Sequence, residues 1–195
     1  MAKSDPTAAK KERNKTIRWV VTIFLITIFI SGTISLLSDL VMSVSTMAVA
    51  FLILLLIIVV GIVFDIIGMA VATADEKPFH SMAARKVPGA QEAIALLRNA
   101  ERVSSICNDV VGDICGVVSG SASATIAGQI LSNFDFSWPQ IVSLGMSALA
   151  AGLTVGGKAI GKSYAVNSCT AIVHTVGRLV HGVKQIPAAF RKKKK

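Results

Sequence analysis

The sequence predicts an all-α membrane protein: about four transmembrane helices, a juxtamembrane helical hairpin and a C-terminal interfacial helix. Three observations carry this. Hydrophobic residues make up 53% of the 195 positions, more than a soluble domain carries, and they gather in runs long enough to cross a bilayer. Within Arg102–Leu131 a small residue recurs at every fourth position, at Gly112, Gly116, Gly120, Ala124 and Gly128. That spacing puts them on one face of a helix, where transmembrane helices pack closely. Lysine and arginine occur only in the N-terminal tail, in Asp75–Arg102 and from Lys158 onward, and are absent from Ser38–Ser45 and Ser132–Pro139. This bias places the basic segments, and with them both termini, on the cytoplasmic side of the cell membrane.

Residues 1–16 are polar and basic and read as a disordered cytoplasmic tail. Ile17–Leu37 is the first span, within a unit 17–43 that includes the outer loop. It is too long for a secretory signal core and shows no small-residue cleavage site. Trp19 falls at the interface. The second span begins at Met47 and continues in helical register to Ala74, longer than one crossing needs. The composition then changes. Pro78 opens a helix, Val87-Pro88-Gly89 makes a turn, and Gln91–Arg98 is amphipathic, which gives a hairpin over 75–101. The glycine-striped span Arg102–Leu131 follows.

A loop with Phe134, Phe136 and Trp138 leads to the fourth span, Gln140–Ile160. Its own small-residue stripe, Ala148, Gly152 and Gly156, is the expected partner of the central one, within the chain or across a homodimer. Asn167–Val183 puts Ile172, Val176, Leu179 and Val183 on one face and His174, Arg178 and His181 on the other, an interfacial pattern. A basic tail, 184–195, ends the chain.

The net charge of +9 follows from this orientation and from attraction to anionic head groups at the cytoplasmic face, not from nucleic-acid binding. The three cysteines lack metal or redox spacing, the three histidines lack triad partners, and Gly156-Gly157-Lys158 lacks the phosphate-loop spacing. No enzymatic chemistry is indicated. The ionisable residues inside the spans matter more, because charge at membrane depth needs a partner or a task. Asp65, Asn108, Asp109 and Asp113 lie in the cytoplasmic third and offer the oxygen ligands that a hard cation takes. Lys158 and Lys162 lie at the same depth. They would either repel such a cation or neutralise the aspartates as ion pairs.

Three stretches, FDIIGMAVATAD from Phe64, NAERVSSICNDVVG from Asn99 and GKAIGKSYA from Gly157, resemble in order and position the motifs of the transmembrane domain of the CNNM/CorC family of magnesium-transport proteins. The resemblance covers 44–183. It implies a homodimer that transports or binds Mg2+ or Co2+. The departures are informative. Ile67 and Gly68 stand at the family's serine and glutamate, Gly112 at the last asparagine of the second motif, Lys158 at the glutamate of the third and Gly161 at its proline, while Lys162 is kept. The family's CBS domains have no counterpart here and the first span is additional. The alternatives are a transport-inactive relative serving as a membrane scaffold or interaction protein, and a proton or monovalent-ion pathway through the aspartates.

Overall fold

The computed structural model describes residues 6–43, 45–134 and 138–192. Every regular element in them is helical: α1 (Pro6–Ser43), α2 (Met47–Thr73), α3 (Lys77–Ala84), α4 (Ala90–Leu97), α5 (Ala100–Ser105), a π-helical segment (Ile106–Gly112), α6 (Asp113–Asn133), α7 (Pro139–Asn167) and α8 (Cys169–Lys192). Four stretches are long and apolar enough to cross a membrane: Lys15–Met42, Met47–Thr73, Ala100–Asn133 and Pro139–Asn167.

Local chemistry sets the boundaries. Thr46 is extended and starts α2, and Ala74 is extended and ends it. Pro78 and Pro139 occupy the first turns of α3 and α7, where a missing N–H costs nothing. Gly89 begins α4 with φ of +85°. A side chain there would be strained and would also meet the backbone of Arg178 on α8.

The long helices alternate in direction, so α1 runs parallel to α5 and α6. Ile23 packs near one end of that contact against Val110 and Ile114. At the other end Gln129 Nε2 donates to the Met42 carbonyl at 2.7 Å. Besides the small cluster of Val110, Ile114 and Val118, two larger apolar cores result. One joins Met42, Leu54, Ile58, Ala122, Ile126 and Met146 at the end opposite the hairpin. The other joins Val71, Phe79, Ala93, Leu97, Ala165 and Val173, and so ties α2, the hairpin α3–α4, the end of α7 and α8 together.

The structure corrects several expectations. Helix α1 begins at Pro6, so residues 6–16 are helical and not a disordered tail. It also runs through most of the predicted outer loop to Ser43. Phe136 and the last three lysines lie outside the described residues. The stripes do not pack on each other within the chain: Gly116, Gly120 and Gly128 on α6 and Gly152 and Gly156 on α7 have nothing within 4 Å of a built Cβ. The face of α7 turned inward carries Gly157 and Gly161, which touch Ile62 and Ile66 of α2. Those side chains fill the space that larger residues would need.

Helix α8 packs through both faces: Val173 and Ile172 join the second core, and polar residues meet the hairpin. Gly177 lies against the Gly89 carbonyl, and Glu92 of α4 pairs with His181 Nδ1 at 3.1 Å and Lys184 Nζ at 4.0 Å. Leu179 and Val183 are left 66% and 65% exposed, and Leu179 lines a groove beside Val63, Ile66 and Ile67 of α2. The hydrogen bond with His181 holds the Glu92 carboxyl below the ordinary carboxylate range. A depressed carboxyl stabilises the fold at higher pH and loses that contribution as pH falls through its folded value. The protection of the α8 amides, relative to their intrinsic exchange rates, is therefore expected to fall only below about pH 4, and Glu92→Gln is expected to flatten that acid limb.

Candidate functional site

Between the two cores lies the chain's one strongly buried carboxylate among the described residues. Asp65, on the otherwise apolar α2, is 5% exposed. Lys158, on α7, reaches it with Nζ 3.4 Å from Oδ1. An isolated carboxylate in such surroundings would be very costly, and an ammonium partner offsets that cost. Gly112 makes the approach possible: a Cβ there would lie 3.2 Å from Lys158 Nζ and 3.8 Å from Asp65 Oδ1. The absence of a side chain at Gly112 thus leaves room for the lysine.

Gly112 is also the last residue of the π-helical segment Ile106–Gly112. Each residue inserted by a π turn shifts the phase of a helix by about 100°. Residues before and after the segment therefore present faces that one regular helix would not combine. Asn108, inside it, lies against Gly68 of α2 so closely that a Cβ at Gly68 would overlap its carboxamide. Asn108 Nδ2 donates to Ser104 Oγ at 3.3 Å. Asp65 Oδ2 and Asn108 Oδ1 are buried and have no hydrogen-bond partner among the described residues.

The predicted ligand set is divided. Asp65 and Asn108 are turned into the bundle, whereas Asp109 and Asp113 are exposed, and Asp109 Oδ2 accepts from Ser105 Oγ at 2.8 Å on its own helix. Lys162 is exposed and makes no ion pair among the described residues. No group of three His, Cys, Asp or Glu side chains close enough to hold a metal ion occurs among the described residues. One carboxylate already engaged by an ammonium does not fit a divalent cation, because the lysine repels it and too few oxygens converge.

A second polar contact joins α1 to α6. Asp39, expected in an outer loop, lies on α1 and accepts hydrogen bonds from Ser121 Oγ at 3.0 Å and Thr125 Oγ1 at 3.3 Å on α6. With Gln129 these form a polar row at helical spacing that fastens α1 to α6. The signal was available in Ser121, Thr125 and Gln129, each four apart.

No protein-family model matches the chain, and no curated protein or solved structure matches it either.

Proposed function

We propose that this chain is a multi-pass protein of the cell membrane, with both termini cytoplasmic, that acts as a membrane scaffold or interaction protein and does not carry cations. The observation that carries the second half is the Lys158–Asp65 pair. The Lys158 side chain, set against the one carboxylate strongly buried among the described residues, supplies the positive charge that a bound cation would otherwise supply. The first half is supported by the four apolar helices and by their outward side chains: Phe29 is 75% and Ile160 76% exposed. Surfaces of that kind are covered by lipid or by another protein. The CNNM/CorC resemblance agrees with a related bundle, and its exchange of glutamate for Lys158 agrees with lost transport. Purified protein in liposomes loaded with a divalent-ion indicator is expected to pass Mg2+ and Co2+ no faster than protein-free vesicles. Saturable flux of either ion above that background would establish a transporter instead.

A scaffold needs a face for its partners, and the open small-residue stripes supply one. Gly120, Ala124 and Gly128 on α6 and Ala148, Gly152 and Gly156 on α7 are all exposed, ready for the close helix approach of a second copy. Gly128→Leu and Gly152→Leu are expected to leave the melting temperature of the monomer unchanged while abolishing dimer crosslinking in membranes. Unaltered crosslinking in both variants would remove the homodimer from this reading.

A further inference from the structure

At the hairpin end of the bundle, α1 and α5 enclose a cleft of about 560 Å³ lined by Lys15, Thr16, Arg18, Trp19, Glu101 and Arg102. Three of these carry positive charge and one negative, so the lining has a net charge of 3 − 1 = +2. None of the three cations has a carboxylate within 4.0 Å among the residues whose side chains are described. Among the described side chains, two guanidinium groups and an ammonium therefore surround one space with no ion pair to a carboxylate. The arrangement is built from two directions: Lys15 and Arg18 come from the start of the first long apolar stretch, and Arg102 from the start of the third. Because α1 runs parallel to α5 and α6, these two starts are neighbours.

We infer that this cleft binds a phosphate group at the membrane surface. Guanidinium forks match phosphate oxygens two at a time, and a lysine adds a point charge. An anion of charge −2 would cancel the net charge of the lining, and one of charge −1 would halve it. Trp19, 40% exposed, stands beside the cations, and tryptophan is the side chain that settles at head-group level. The cleft is large enough for a phospholipid head group, and a small soluble phosphate ester has the same chemistry. Glu101 opposes any purely anionic ligand and so gives the site a built-in test. The placement of the cleft on the cytoplasmic surface rests on the topology proposed above, but its ligand does not depend on transport or on sidedness.

The experiment uses the full chain in nanodiscs of phosphatidylcholine alone or mixed with phosphatidylglycerol. Bound lipid is counted by mass spectrometry, and inorganic pyrophosphate is titrated separately in the neutral discs. Arg18→Gln/Arg102→Gln is expected to lower phosphatidylglycerol retention or pyrophosphate affinity at least about tenfold. Lys77→Gln/Lys162→Gln, which removes the same charge from exposed positions elsewhere, is expected to leave both near the wild-type level. Arg102→Lys guards against misfolding by keeping the charge, and Glu101→Gln is expected to tighten binding. Retention of phosphatidylglycerol without pyrophosphate binding identifies a lipid head group; pyrophosphate binding alone identifies a soluble phosphate. Equal losses in the two double variants, or no binding of either probe by the wild type, would overturn the inference.

Discussion

Replacing Lys158 by alanine is expected to lower the stability of the bundle by about 3–5 kcal/mol, the cost of leaving one partner of a buried pair behind. Asp65 is nearly inaccessible, and one of its carboxylate oxygens already lacks a partner among the described residues. Without the ammonium, the carboxyl must either remain charged in apolar surroundings or take up a proton. Both cost free energy that the present pair avoids. Lys162 sits one turn further along the same helix but is exposed, so Lys162→Ala is expected to change stability by no more than about 0.5 kcal/mol. Unfolding in a mild detergent, followed by helical circular dichroism, separates the two. Similar losses in both variants would mean that bulk charge, not the pair, is responsible.

The second large effect is steric. A Cβ at Gly161 would lie 2.7 Å from Ile66 Cγ1 and 2.9 Å from its Cδ1, and one at Gly61 would lie 2.9 Å from Cys115 Cβ. Leucine at either position must push α7 or α6 away from α2, which contributes to both cores. Overpacking of this kind costs about 1–3 kcal/mol at a tolerant site, and more where two backbones must separate. Gly161→Leu is therefore expected to destabilise the monomer strongly. Gly120→Leu and Gly156→Leu, which meet open space, are expected to spare it. Thermal unfolding of the four variants in parallel checks the ranking. A reversed order would mean that the two stripes form the core after all.

These contrasts mark what was legible in the sequence. The four long helices were readable because apolar runs broken by SDLVMSVS and SNFDFSWP have few other solutions. The turn at Gly89 was readable from Val87-Pro88-Gly89. Helical phase was harder. The glycine stripe has the right spacing for packing, yet spacing cannot say which neighbour a face meets, and Gly61, Gly68, Gly157 and Gly161 make the close contacts instead. The π-helical segment was invisible because no residue type enforces it; it follows from the packing of Asn108 and Gly112 against α2 and Lys158. That local change of phase is associated with Asp109 and Asp113 facing outward while Asn108 faces inward, and so with the division of the expected ligand set. Depth alone grouped Asp65 with Lys158 correctly. It also grouped them with three residues, Asp109, Asp113 and Lys162, that face elsewhere.

The central claim is that a lysine, and not a metal ion, neutralises the buried carboxylate. A double-mutant cycle of Asp65→Asn and Lys158→Met, measured by unfolding with and without magnesium, tests it most directly. The account predicts that the double variant recovers much of what each single variant loses, with a coupling of about 1–3 kcal/mol. It also predicts that magnesium leaves the wild-type midpoint unchanged, because a ligand stabilises only what it binds. Strictly additive losses, or a wild-type midpoint that rises with magnesium concentration and loses that response in Asp65→Asn, would contradict it.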